Sequence, residues 1–291
     1  MVTVRVPATS ANLGPGFDTL GLAFALYNTL TFEELPEGLI FDGVEEEYAT
    51  AENLAVVSYQ AVMDRLGLPM PGLRIGIQAD IPICRGLGSS AALIAAGAAG
   101  ANANHGSPLS REELLAVCND IEGHPDNLAP AIFGGLVASF VENERPYIAR
   151  YELHKSLHCT ALIPDFQLST HLARGVLPKE VPYFDAIFNV SRTAVLLKAL
   201  ETGDLDAISV ALHDKLHQPF RRTLIPGFDQ AEKLARECGC TAFFLSGAGP
   251  TLLCLWANPQ FDERLAAGLS SLPGHWRQLP MAVDHEGIVV S

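Results

Sequence analysis

The stretch Pro82, Ile83, Cys84, Arg85, Gly86, Leu87, Gly88, Ser89, Ser90, Ala91, Ala92 holds the residue types best suited to grip an anion. A β-rich run over residues 73–79 leads into it, and a run of small helix formers over residues 90–103 leads out. In such a strand, glycine loop and helix, the glycines let main-chain N–H groups approach a phosphate. The helix start adds unpaired donors and the positive end of its dipole. The two serines can cap the helix and offer hydroxyls to a phosphate or a metal ion. No lysine follows the second glycine, so this is not the Gly-x-x-x-x-Gly-Lys-Ser/Thr nucleotide loop. Ala91 stands where a dinucleotide fingerprint needs its third glycine. A glycine turn before an ordinary capped helix accounts for the same residues without a ligand.

Two further glycine-rich loops occur. One runs from Thr9 through Ser10, Ala11, Asn12, Leu13, Gly14, Pro15, Gly16 and Phe17 to Asp18, after a short strand at 3–6. The other holds Ser246, Gly247, Ala248, Gly249 and Pro250 between two apolar runs. Charged and amide residues gather in loops: Asn12 and Asp18; Glu122, His124, Asp126 and Asn127; Thr170 and Arg174; Arg221 and Arg222. Each also has a plain structural reading. Asp18 can cap a turn, and the arginines can lie on the surface. His124 can be a hydrogen-bonding framework residue. Asp126 is expected to fold back as an Asx-turn before Pro130. Glu122 can be a solvated helix-end carboxylate, although a helix C-terminus disfavours a negative charge without a cation.

These residues need elements to position them. Residues 20–34 suit one or two strands. Residues 53–66 carry helical periodicity, with Leu54, Val57, Ala61, Val62 and Leu66 on one face and Gly67 and Pro69 at the end. Residues 90–103 are apolar nearly all round and predict a buried helix. Ser110 with Glu113 forms a capping box ahead of the stripe Leu114, Leu115, Val117, Ile121. Strands are expected at 136–141, 159–163, 241–245 and 251–256, and helices at 191–200, 205–212 and 228–237. The polar stretch 142–155 predicts a domain boundary, and Glu45, Glu46 and Glu47 a solvated turn. Strands and helices mixed without strict alternation indicate an α+β fold.

A chain of 291 residues, 48% hydrophobic and 18% charged, can bury a large core in one or two domains. Its net charge of −14 argues against nucleic acid and anionic membranes as partners. No apolar run approaches a bilayer span, and the first residues carry no signal-peptide pattern, which points to the cytoplasm. The six cysteines are scattered, and Cys238-Gly239-Cys240 lacks the second pair a zinc site needs. An acidic protein that binds a triphosphate must neutralise it locally, through loop N–H groups, a helix end, a metal ion and a few arginines.

The three glycine loops, in their order and spacing over nearly the whole chain, resemble the three motifs of the GHMP kinase superfamily (galactokinase, homoserine, mevalonate and phosphomevalonate kinases). The resemblance implies a two-domain α+β fold. An N-terminal ATP-binding domain like the second domain of ribosomal protein S5 would occupy 1–150, and a ferredoxin-like C-terminal domain 151–291. The loops at 9–18, 122–130, 169–178 and 219–228 resemble the homoserine kinases within that superfamily.

The resemblance implies ATP and Mg2+ as cofactors and L-homoserine as the small-molecule substrate. It places the nucleotide on residues 82–92, with Asn53, Ser246, Gly247 and Gly249, and the metal on Ser90 and Glu122. It places the substrate on Asn12, Asp18, His124, Asn127, Thr170, Arg174 and Arg221, and assigns catalytic roles to Asn127, Arg174 and Glu122. Asn53 reads equally as a helix cap. A zwitterion needs a carboxylate for its ammonium and guanidinium forks for its carboxyl group, which Asp18, Arg174 and Arg221 match. Asn127 stands where mevalonate-type relatives carry an aspartate. An amide is no general base, so the resemblance implies proton loss from the hydroxyl directly, onto the phosphoryl group. A homodimer is implied by analogy.

Overall fold

Period-two burial in the first thirty-five residues builds a long antiparallel hairpin. In a computed structural model describing all residues, 1–291, β1 (Val2–Ala11) pairs with β2 (Leu20–Leu35), with Val4 opposite Leu30 and both fully buried. The register shifts between Pro7 and Ala8, so β1 continues to Ala11 and carries Thr9 and Ser10 inward. The strand expected at 3–6 is thus longer, and the first three residues of the first glycine loop, Thr9, Ser10 and Ala11, are strand. β3 (Leu39–Asp42), β4 (Gly72–Ala79), β5 (Leu136–Glu142) and β6 (Arg145–Tyr151) extend the sheet.

The helices α1 (Leu54–Leu66), α2 (Ser89–Asn104), α3 (Arg111–Glu122) and α4 (Leu128–Phe133) pack on this sheet and on each other. Asn53 caps α1, Gly67 ends it in the left-handed region, and the Ser110/Glu113 capping box starts α3 as expected. Neighbours on every side explain why α2 is built from alanine and glycine: α1, α3, α4 and β1 all close on it.

The second sheet is formed by β7 (His158–Pro164), β8 (Ala242–Leu245), β9 (Leu252–Trp256) and β10 (Trp276–Met281), antiparallel in the order β10-β7-β9-β8. Numbered within this half, that is fourth, first, third, second, the order of a ferredoxin-like sheet. Its helices are α5 (Thr170–Gly175), α6 (Tyr183–Thr202), α7 (Leu205–Ala211), α8 (Gln218–Arg221), α9 (Phe228–Cys238) and α10 (Phe261–Gly268). No helix is long and apolar enough to cross a membrane.

The halves are not independent. One buried core runs from β1 and α2 into β7, α6 and α7, while a smaller one lies between the second sheet and α9 and α10. The final strand β11 (Val289–Val290) returns to pair with β1, so the chain beyond residue 150 does not stay with the second sheet. The stretch at 142–155 is not a linker throughout: β6 lies within it, and its polarity reflects an edge strand bonded only to β5. The helix expected at 191–200 begins at Tyr183, because its first turns carry exposed apolar residues that break the periodicity.

Candidate active site

Hydrogen bonds draw the three glycine loops together. Thr9 N donates to Leu87 O at 3.1 Å, Thr251 N to Arg85 O at 3.2 Å and Gly247 N to Ala11 O at 3.1 Å. Ser246 Oγ donates to Gly86 O at 2.6 Å and lies 2.9 Å from Ser10 Oγ. Gly86 and Gly88 have φ of 74° and 72°. A Cβ on Gly86 would overlap the Ser246 carbonyl, and one on Gly88 would overlap Thr9 Oγ1. Glycine is therefore required there by both backbone conformation and the approach of a neighbouring loop.

The start of α2 differs from the sequence expectation in one instructive way. Gly88 is its N-cap residue, and no side chain caps it. Ser90 Oγ instead reaches Glu122 Oε2, 2.9 Å away at the end of α3. With glycine at the N-cap position and no side chain capping it, the first N–H groups of the helix stay without side-chain partners. A hydroxyl and a carboxylate at that distance, beside those N–H groups, form an oxygen donor pair of the kind a hard divalent cation uses together with phosphate. The residues fit Mg2+.

These loops open into a cavity of about 720 Å³. Pro82, Ile83, Cys84, Arg85, Gly86, Gly88, Ser89, Ser90, Ala91, Gly247 and Gly249 line it, but Leu87, Ala92 and Ser246 do not. Those three are fully buried behind the wall, where Ser246 ties the loops together and Leu87 and Ala92 belong to the core. Asn53 lines the cavity with both amide ends engaged, accepting from Ala55 N and donating to Tyr48 O. It caps α1 and anchors the exposed turn at 46–48, the expected acidic turn, whose Glu47 and Tyr48 also line the cavity.

At the other end, Arg174 forms a two-pronged ion pair with Asp18, at 2.8 and 3.2 Å. Arg221 is only 2% exposed. Its Nε donates to Ala173 O at 3.2 Å and its Nη1 to Gly247 O at 3.0 Å, so the third glycine loop and α5 aim it. Both guanidinium groups face the Phe17 ring, 5.2 Å away for Arg221 and 5.8 Å for Arg174. Burial, and then the charge of Arg174, pull the Arg221 pKa down to about 10, so it is still cationic at neutral pH.

Asn12 is buried and doubly engaged, donating to Gly247 O at 3.1 Å and accepting from Asp18 N at 2.9 Å. It fixes the backbone of Asp18 against the third loop. Asn127 accepts from Thr9 Oγ1 at 2.8 Å, which leaves its amide NH2 for the cavity. Thr170 opens α5 at the cavity edge, and Ser169 caps that helix. Asp126 does not form the expected Asx-turn. It is buried and accepts from His124 Nδ1 at 2.7 Å, because the loop folds the imidazole over it. Burial disfavours the charged ring, but the bond to Asp126 and its charge outweigh this and raise the His124 pKa. Sequence reading also missed Phe17 and His217, whose side chains touch the residues just described, and Tyr48, whose main-chain carbonyl accepts from Asn53.

Comparison with known proteins agrees with this geometry. Residues 53–135 match the GHMP kinases N terminal domain and residues 196–272 the GHMP kinases C terminal family. A homoserine kinase of Clostridium botulinum is 43% identical over all of this chain and 99% of its own length. The chain belongs to the homoserine kinases of the GHMP superfamily. A homoserine kinase of Clostridium beijerinckii is 40% identical over all of this chain and 98% of its own length. Among solved structures, the homoserine kinase of Cytophaga hutchinsonii superposes with a TM-score of 0.87 at 26% identity, covering 100% of this chain and 97% of that one. An L. major mevalonate kinase shares the fold, with a TM-score of 0.73 at 17% identity over 96% of this chain and 94% of that one. The two-domain GHMP kinase fold and the kinase assignment follow.

Proposed function

We propose that the chain moves the γ-phosphoryl group of ATP to the side-chain hydroxyl of L-homoserine, giving O-phospho-L-homoserine and ADP, with Mg2+ held by Ser90 and Glu122. The observation that carries this reading is one cavity with main-chain donors of a helix start at one end and Asp18, Arg174 and Arg221 at the other. Such a pair of ends suits a triphosphate and a small zwitterion.

When bound, Mg2+ would neutralise phosphate charge. The N–H groups of Ser89, Ser90 and Ala91 would orient the phosphate chain. Asp18 would take the substrate ammonium and Arg221, with Arg174, the carboxylate, while Thr170 would close the pocket edge. Asn12 supports this from behind, holding the Asp18 main chain. With its carbonyl engaged by Thr9, Asn127 would donate its NH2 to the acceptor oxygen. The new bond joins that oxygen to the γ-phosphorus as the bond to the β-phosphate oxygen breaks. The transition state is loose, so positioning matters more than a strong base, and the hydroxyl proton can leave to the phosphoryl oxygens. His124 is committed to Asp126 and orients the loop that presents Asn127.

A coupled assay for ADP with homoserine, mevalonate, shikimate and galactose tests the reading. ADP should appear only with homoserine, and chelation of Mg2+ should abolish it. Equal turnover of mevalonate, or turnover without the metal, would contradict it.

A further inference from the structure

His217 plays no part in the reading above, yet it is fully buried against the residues that would hold the substrate. It stands just before α8, four residues ahead of Arg221. Its Nε2 lies 2.8 Å from Gly14 O in the first glycine loop. A carbonyl oxygen can only accept, so Nε2 carries the proton. Its Nδ1 lies 3.5 Å from Arg221 Nη1. A guanidinium can only donate, so Nδ1 must offer its lone pair. Both contacts are satisfied by one form of the ring, the neutral Nε2–H tautomer.

The surroundings hold that form. Asp214 Oδ2 is 3.5 Å from Nε2, but the Asp214 carboxylate already accepts from the main-chain N–H groups of Leu216, His217 and Gln218 and from Asn189 Nδ2. Its charge is met without a proton from the ring. Arg221 faces the ring from α8, and Asp18 acts on it from the first loop. Burial, the largest influence, lowers the His217 pKa in keeping with a neutral ring. The imidazole stacks on Phe17, with centroids 5.2 Å apart, and the same Phe17 ring faces both guanidinium groups.

We propose that His217 is a positioning residue for Arg221: fixed to Gly14 by Nε2–H, it offers Nδ1 to Nη1 and so helps set the direction of the guanidinium fork. Gly247 O takes Nη1 and Ala173 O takes Nε, while Nη2 has no protein partner and Arg221 lines the cavity. Three acceptors, from the second-half loop at 217, the third glycine loop and α5, thus engage Nε–H and both Nη1–H groups and leave the Nη2 amino group for a carboxylate. Through His217 the fork is also tied to the first glycine loop, which carries Asp18. The proposal rests on the reading that Arg221 binds the substrate carboxylate.

Two substitutions separate the two ring nitrogens. His217→Asn can place an acceptor oxygen near the Nδ1 position, whereas His217→Gln can place an amide donor near Nε2 without the acceptor for Arg221. We expect His217→Gln to raise the homoserine KM about tenfold, as befits loss of a bond to a charged group, with the ATP KM within about twofold. His217→Asn should recover most of that loss.

Combined with Arg221→Lys, His217→Gln should add nothing further to the homoserine KM. If Arg221→Lys raises the homoserine KM while His217→Gln does not, or if both KM values rise together in His217→Gln, the positioning role is overturned and the carboxylate reading survives. If Arg221→Lys leaves the homoserine KM unchanged, the carboxylate reading falls and this proposal with it. Should the variants not fold, 15N shifts of the His217 ring in the wild-type protein, assigned through contacts to Phe17 protons, decide. An Nε2–H tautomer at neutral pH supports the proposal, and an Nδ1–H tautomer or a charged ring overturns it.

Discussion

At the glycine-loop end of the cavity the donors are main-chain N–H groups at the start of α2. At the far end they belong to Arg174 and Arg221, faced by Asp18. Main-chain donors carry no residue identity, so their placement depends on where a Cβ is forbidden, at Gly86 and Gly88. Side-chain charges do carry identity, and they are placed by neighbours: Asn12 behind Asp18, and Ala173 and Gly247 behind Arg221. The first end suits a ligand common to many kinases, and the second selects one acceptor. The third glycine loop serves both ends, since Gly247 N bonds Ala11 O while Gly247 O receives Asn12 and Arg221.

Arg221→Ala should break the far end alone. Loss of a desolvated charged bond costs about 2–5 kcal/mol, on the order of thirtyfold to a few thousandfold in homoserine KM, with ATP binding nearly intact. An unchanged homoserine KM removes Arg221 from the site. Gly88→Ala should break the near end, and through it the fold, because the new methyl meets Thr9 Oγ1 in a left-handed backbone. A loss of about 3 kcal/mol in denaturant unfolding is expected, with weakened ATP binding. A variant as stable as the parent would show that the loop contact is not as tight as described.

A smaller effect sharpens the contrast. Asp18→Asn keeps the shape but removes the charge offered to an ammonium, so rejection of a des-amino analogue should relax about tenfold. Undiminished discrimination between homoserine and that analogue would count against Asp18. Ser110→Ala lies outside both ends. It should cost about 1 kcal/mol in unfolding through the lost capping box and leave both KM values alone. A change in kinetics would mean that α3, which ends in Glu122, transmits strain to the site.

What could be read from the chain divides along a similar line. Features set by a few neighbouring residues were legible: the Asn53 cap, the Gly67 stop and the Ser110/Glu113 box each depend on contacts within one helical turn. The two glycines of the second loop signalled close approach, but not what approaches, because Thr9 and Ser246 come from the two ends of the chain. Ser90 offered two readings, a helix cap and a metal ligand with Glu122; its hydroxyl meets Glu122 from a helix away and caps nothing. β6 reads as polar loop because an edge strand with half its side chains in water has no apolar period. Asp126 was expected to bond its own backbone and instead holds His124. His217 was overlooked although a histidine four residues before an arginine, across Gln218-Pro219-Phe220, already suggests one helical face.

A crystal structure of the protein with a non-hydrolysable ATP analogue, Mg2+ and homoserine tests the division most directly. The account predicts phosphate oxygens within hydrogen-bond reach of the N–H groups of Ser89, Ser90 and Ala91, the homoserine carboxylate on Arg221 and its ammonium on Asp18. A triphosphate bound away from the start of α2, or a homoserine whose carboxylate points to solvent, would contradict it.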